Sequence, residues 1–524
     1  MMLHLIQLDL WPQIPQPNAR LLLLMSLLAV LLTKVIVLRW KNRKVNDFMA
    51  SIPGAPLSIP VLGDTFFLLG VTCKTVFPTI KRILAKRPVT STIWVIDTPY
   101  LITSDLKTVQ AILGSTKNIH KTSDYDFFHA HCTGIFTANG ERWRQMRKMI
   151  NPSFRSNVLA TFGDNLNYHS QVFLSKLQNY ANGLGNVDIL VPVHLCTIDF
   201  ICDNMMGCRL DVQKRNLTKL STNLERSTEM IFERSFNVLL WSDLTYSILG
   251  KQKELNEAVQ GMRTLAYEML EQRMKRREER LKTASETDVH QIFVEILIDN
   301  IEGGNMTKAQ AAEEIVEMFT AGSITTATTT AWVFKIMAMY PDIQEKVYRE
   351  ILDVYGQKEV TLDELSKLHY LEMVIKETLR HFSVPVMSRH IVEDVKVDEN
   401  MVIPANVRVL MFAFNLHHNP EYWRKPGEFY PEHFSDLEEI SRPKGAFMPF
   451  MSGPRSCPGN VYAMQTVKFL VANTLLHYEF STDEKPPKDF INEDYRILFM
   501  LWPCSGFLVN VRKRTYDKRK TQSG

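Results

Sequence analysis

The spacing of apolar positions changes character several times along the chain. Residues 21–38, LLLLMSLLAVLLTKVIVL, form an apolar run broken only by Ser26, Thr33 and Lys34. At ~1.5 Å per residue such a helix spans roughly 27 Å, close to the ~30 Å hydrocarbon core of a bilayer. Arg39, Lys41, Arg43 and Lys44 follow it, against Arg20 alone just before. This asymmetry predicts an uncleaved anchor that leaves the body in the cytosol. A run this long, ending in basic residues without a small-x-small site, does not suit a cleaved signal peptide.

Proline and glycine then punctuate the chain at Pro53, Gly54, Pro56, Pro60 and Gly63, which reads as a stiff linker. Further on, β-branched and aromatic stretches at Ser91–Ile96 and Tyr100–Thr103 predict short strands. Helical spacing dominates afterwards. It covers Gly140–Lys148, most of 155–300, and a long segment that opens on a capping box at Thr307–Gln310 and stops at Pro341. Further helices are expected over Asp342–Tyr355, Thr361–Tyr370, Tyr370–Arg380 and from Gly459 to about His477. Thr361 and Glu364 suggest a second capping box. The expected architecture is mainly α with small β-sheets. Its parts are an anchor with flanks at 1–50, a proline-rich hinge at 51–63 and a folded body at 64–524.

Composition adds exclusions. With 45% hydrophobic and 23% charged residues the body is ordinary and globular, and a net charge of +4 argues for no nucleic-acid partner. Cys73, Cys132, Cys196, Cys202, Cys208, Cys457 and Cys504 are odd in number and contain no CxxC pair. They form neither a disulfide framework nor a zinc site. The basic run Arg273–Arg277 reads as a solvated helix face, and residues 282–290 as a polar loop. No dinucleotide fingerprint or Walker sequence is evident, so electrons for any redox chemistry must come from another protein.

The most specific chemistry lies near the C-terminus. Phe450, Gly453, Arg455, Cys457 and Gly459 set one cysteine between glycines, with a cation two residues before it. A chance match to that pattern arises about once in ten thousand chains of this length. Glycines permit positive φ or close approach, the arginine can pair with a cofactor carboxylate, and a following helix N-terminus favours a thiolate. In the middle of the long helix lies Ala321-Gly322-Ser323-Ile324-Thr325-Thr326. Glycine and threonines there lower helix propensity, and a threonine hydroxyl can bond back and bend the helix. Trp143 and Arg147 share a helix face, as do Glu377 and Arg380.

Together these stretches resemble the cytochrome P450 family, most closely the family-4 clan of microsomal members, including insect ones. The resemblance covers nearly everything after residue 50. It implies the P450 fold behind a single transmembrane helix and a b-type haem ligated by Cys457. Trp143, Arg147, Arg389, Phe450, Arg455, Gly459 and Ala463 would hold that haem, the arginines pairing with its propionates. Ala321, Gly322 and Thr325 take the oxygen-activating positions, but Ile324 stands where the family usually carries an acid. Ala321 also replaces the residue that esterifies haem in many members of that clan, so no covalent link is expected. Glu377, Arg380 and His433 match a structural triad, with His433 in a position commonly held by arginine.

The implied activity is a monooxygenase that inserts one atom of O₂ into an apolar substrate. NADPH-derived electrons would arrive from NADPH-cytochrome P450 reductase, with cytochrome b5 as a further donor. The implied location is the endoplasmic reticulum membrane, single-pass, with a cytosolic body. In that compartment the sequons at Asn216 and Asn305 stay unmodified. Two other readings remain open, a haem-thiolate isomerase or dehydratase needing no external electrons, and a haem-binding protein without turnover.

Overall fold

The computed structural model describes residues 42–53, 63–96, 98–181, 185–282, 291–356 and 358–515, with isolated positions between 22 and 40. The chain divides into Met1–Ser51 and Ile52–Gly524. In the first unit Arg43–Ser51 is helical, and so are Leu22, Met25, Val30 and Val37, all exposed. Most of the apolar run 21–38 lies outside the described residues, as do much of the hinge and the 283–290 loop. Among the described residues no helix is long and apolar enough to cross a membrane.

The second unit is mainly α with small sheets, as expected. Its axis is the helix Lys308–Met339, which is buried over most of its length. The capping box forms. Gln310 N–H donates to Thr307 Oγ1 at 3.2 Å, and Thr307 N–H to Gln310 Oε1 at 2.9 Å. Helices Leu190–Met206, Lys251–Lys282, His369–Phe382 and Asn460–His477 pack around it. So many buried hydroxyls are tolerated because each bonds back one turn. Ser323, Thr325, Thr326 and Thr328 donate to Phe319, Ala321, Gly322 and Ile324 carbonyls at 2.7–2.8 Å. The helix runs unbroken through 321–326.

The largest sheet orders Thr90–Val95, Thr98–Thr103, Arg408–Met411 and Met387–His390, with one parallel pairing in its middle. It carries Arg389 on its last strand, facing inward at 2% exposure. Thr361–Tyr370 departs from expectation. Only a 3₁₀ turn forms at Leu365–Lys367, and the next helix starts at His369. The Glu350 carboxylate, from a different helix, accepts the Tyr370 and Leu371 amides at 2.6 and 2.9 Å and replaces the local cap. The basic run also departs in part. Lys275 and Arg276 are exposed, but Arg273 and Arg277 converge on the buried Glu295 carboxylate at 2.5 and 3.2 Å.

Candidate haem-thiolate site

The loop at Phe450–Gly459 is built by short backbone bonds. Cys457 N–H donates to Phe450 O at 2.9 Å, and Ser456 N–H to Gly453 O at 3.0 Å. Positive φ falls at Met451 (62°) and Gly453 (72°), not at Gly459. A Cβ on Gly453 would lie 1.8 Å from Leu113 O, so this glycine permits close backbone approach. A Cβ on Gly459 would make ordinary contact, 3.5 Å from Phe154 and 4.0 Å from Cys457 Sγ. Phe450 packs half-buried against the core. Ala463 N–H donates to Gly459 O at 2.8 Å in the first turn of Asn460–His477.

Among the seven cysteines, 73, 132, 196, 202 and 208 are buried, whereas Cys457 and Cys504 are exposed. Cys457 is nonetheless ringed by protein, so it lies in a hollow and not on the outer surface. That crowding pushes the thiol up, while the Gly459 N–H and the Arg147 guanidinium favour the thiolate. Arg147 donates from Nη1 to Ser456 O at 2.8 Å, which places it beside the sulfur loop.

Arg455 is 8% exposed. Its Nη1 donates to the Ile119 and Ala138 carbonyls at 2.8 and 2.9 Å, and its Nη2 to those of Ile135 and Phe136 at 3.2 Å. The guanidinium also lies 4.9 Å from the ring centre of Trp143, itself buried. Burial, with Arg389 next, pushes Arg455 down to about 9. Arg389 bonds the Ser388 carbonyl at 2.8 Å, and burial pushes it down to about 10.

Lys121 joins them. Its ammonium lies 3.4 Å from the Phe136 ring centre and 4.1 Å from that of Tyr125. Burial first, then Arg455 and Arg389, holds it well below the usual lysine range. None of these three cations makes an ion pair among the described residues. Gathered buried cations that form no ion pair call for an anion with more than one carboxylate. Together with a thiol in a hollow, that donor set fits haem and its two propionates. Lys121 carried no motif and was not legible in the sequence.

On the central helix Ala321 is exposed and Thr325 partly so, although most of their neighbours are buried. These residues make no hydrogen bond to the Cys457 loop among the described residues. Gly322 has a packing reason, since a Cβ there would fall 2.5 Å from Ile201 Cδ1 on the neighbouring helix. Ile324 is 2% exposed and belongs to the core. An apolar cavity of about 200 Å³ is lined by Lys121, Phe128, Phe136, Val384, Met451 and Phe499. It reaches the sulfur loop at Met451. A larger cavity of about 530 Å³, around Trp332, Lys335 and Cys504, touches none of the site residues.

Glu377 and Arg380 form a buried bidentate pair, both bonds 2.8 Å, with His433 Nδ1 at 3.2 Å from Glu377 Oε1. Burial opposes the charge, yet Arg380, His381 and His433 hold Glu377 well below the usual carboxylate range. The network reaches the sulfur loop through His417. Its Nε2 accepts Met448 N–H at 3.0 Å, while Arg380 Nη1 donates to its carbonyl at 2.9 Å.

A family model described as cytochrome P450 matches residues 53–506. Human cytochrome P450 4V2 is 29% identical over 82% of this chain and 83% of its own length. Cytochrome P450 4c21 of Blattella germanica is 28% identical over 88% and 94%. Cytochrome P450 4c3 of Drosophila melanogaster is 26% identical over 93% and 94%.

Proposed function

The chain belongs to the cytochrome P450 family and is a haem-thiolate monooxygenase, and from that premise we propose which residues carry its work and where. Cys457 is the iron ligand. Arg389, Arg455 and Lys121 take the propionates, with Trp143 under Arg455, while Arg147 favours the thiolate through its contact with the sulfur loop. Phe450, Gly459 and Ala463 shape the seat. Haem bound there supplies the oxygen activation, with the thiolate's electron density favouring O–O cleavage.

The chain's own residues bind, orient and dry the site. Ala321 and Thr325, exposed and partly exposed on the central helix, take the oxygen-activating positions, and the phenylalanine-rich cavity orients an apolar substrate and excludes water. Thr325 Oγ1 donates to Ala321 O at 2.7 Å, so its lone pairs remain free to receive a proton before it passes one on.

The specific electron donor is NADPH-cytochrome P450 reductase, with cytochrome b5 as a second donor. Exposed Arg142, Arg144 and Lys148 on the helix Gly140–Ile150 support a docking face near Arg147. The location is the endoplasmic reticulum membrane, with 21–38 as the anchor. Exposed apolar side chains support this reading. Phe66, Phe67 and Leu69 are exposed in one segment and Leu239, Leu244 and Ile248 in another, and Gly70 N–H ties the two segments through Asn237 Oδ1 at 3.2 Å.

The observation that carries the site assignment is a thiol in a hollow together with three buried cations that make no ion pair among the described residues. Its test is the carbon monoxide difference spectrum of the reduced protein. The red-shifted band of a thiolate-ligated haem is expected in the wild type and lost in Cys457→Ala. A band that survives the substitution would sink the assignment.

A further inference from the structure

Ile324 puts a core side chain where a proton-carrying acid would stand, yet the same helix carries three carboxylates upstream. Glu313, Glu317, Ala321 and Thr325 recur every four residues and form one stripe along the helix. The Glu313 side chain is 22% exposed and bonds Arg263 Nε at 2.9 Å, whereas Glu314 and Glu317 are 2% and 5% exposed. All three reach under the segment Thr133–Phe136. Glu313 Oε2 accepts Thr133 N–H at 3.2 Å, Glu314 Oε2 accepts Ile135 N–H at 3.2 Å, and Glu317 Oε1 accepts Phe136 N–H.

The other oxygen of Glu317, Oε2, is buried and receives no N–H or O–H among the described residues, while the Cys132 thiol lies within reach of the carboxylate. Gly134 keeps the space above it, since a Cβ there would fall 2.6 Å from that oxygen and 2.9 Å from Glu314 Oε2. Phe136 and Lys121 line the apolar cavity, so this oxygen lies behind the cavity wall.

We propose that Glu317 supplies the distal protons that position 324 cannot, handing them through water past the exposed Ala321 to Thr325, with Glu314 and Glu313 refilling it from solvent. The proposal rests on the assignment of Ala321 and Thr325 to the haem side. At ~1.5 Å per residue, Thr325 stands roughly 12 Å from Glu317 along the axis, so bridging water is required. Ala321, exposed and small, stands between the two on the same stripe of the helix. In each cycle one proton leaves Glu317, its carboxylate takes one back from Glu314 or water, and no electrons move. Glu317 touches no reacting atom and is a positioning residue.

The surroundings suit the task. Two buried carboxylates so close do not both ionise readily. Burial raises Glu317 to about 7, against the Phe136 N–H, Lys121, Cys132 and Arg455. Burial and Glu317 raise Glu314 well above the usual range, with Glu313 adding to the rise and the Ile135 N–H and Arg142 opposing it. A donor poised near the working pH both gives and regains its proton readily.

The test uses the full-length haem-loaded enzyme with reductase, following O₂ consumption against pH, together with an infrared titration of its carboxyl groups. The wild-type rate should fall as pH rises through about 7. Glu317→Gln keeps an acceptor for Phe136 N–H and removes only the proton. It should retain the carbon monoxide band, lose about tenfold in rate below that pH, lose the limb, and delete one carboxyl titrating near neutrality. Glu317→Asp should restore most of the limb. Gly134→Ala, which crowds Oε2 while keeping the acid, is the second variant and should lose the same limb.

An unchanged pH profile in both Glu317→Gln and Gly134→Ala would overturn the proposal. So would a rate loss that Gln and Asp share equally, or an infrared titration unaltered by Glu317→Gln. Absence of reductase-driven O₂ consumption in the wild type would instead overturn the monooxygenase reading, and the proposal with it.

Discussion

Replacing Arg389 with methionine should move the haem-free and haem-loaded proteins in opposite directions. The side chain is 2% exposed and, among the described residues, bonds only the adjacent Ser388 carbonyl. Burial, opposed by Tyr125, pushes the guanidinium down to about 10. Against an unfolded value near 12.5, and at ~1.36 kcal/mol per pK, holding the charge in the native state costs about 3 kcal/mol. The native pKa is the lower one, so this penalty is present in full below pH 10 and fades above it. Methionine keeps most of the volume, drops the charge and loses about 1 kcal/mol of hydrogen bonding. The haem-free protein should therefore gain about 1–2 kcal/mol at neutral pH. The haem-loaded protein should instead lose a charge-assisted contact worth about 1.5–3 kcal/mol and release haem roughly tenfold to a hundredfold faster. Thermal unfolding of both forms, with haem transfer to an acceptor apoprotein, reads the two signs. Equal destabilisation of both forms would refute the idea that Arg389 waits for an anion.

Gly453→Ala should cost at least about 3 kcal/mol in thermal unfolding and abolish haem retention. Its Cβ would meet the Leu113 backbone at 1.8 Å with φ at 72°, whereas Gly459→Ala meets only ordinary contacts and should fold normally. Ile324→Asp should cost about 3 kcal/mol or more of stability, read as a lowered chemical-denaturation midpoint, because it places an unpaired carboxylate in the core. An unchanged midpoint would mean that position 324 faces the cavity.

Features that were legible in the sequence depend on neighbours a few residues away. The capping box at Thr307 and the stop at Pro341 set the central helix to within a residue, because both act through local backbone groups. The Glu377–Arg380 pair was visible for the same reason. Thr361 failed as a cap because Glu350, eleven residues earlier, satisfies the amides of the next helix instead. The basic run at 273–277 looked solvated because its counter-ion, Glu295, lies on another helix. Lys121 has no motif around it. Its burial is set by Tyr125, Phe136 and two arginines that come from segments far apart in the chain.

The two sides of the site differ in how firmly the chain commits them. On the sulfur side the loop is fixed several times over, by its own turns, by Leu113 against Gly453, by Arg147 on Ser456 and by His417 on Met448. So many fixed points fit a seat that must hold one geometry. On the helix side, Ile324 lies in the core and Gly322 lets Ile201 close against the helix. An acid at 324 would interrupt that core, so the chain gains packing there and forfeits a proton carrier. The carboxylates at 313, 314 and 317 accept amides of a loop whose carbonyls are held by Arg455, the cation proposed to take a propionate. Protonation of those carboxylates and occupancy of the cation cluster therefore act on one segment, Ile135–Phe136. Haem loading should thus shift the carboxyl titration near neutrality, and Arg455 is the residue through which the two sides are coupled.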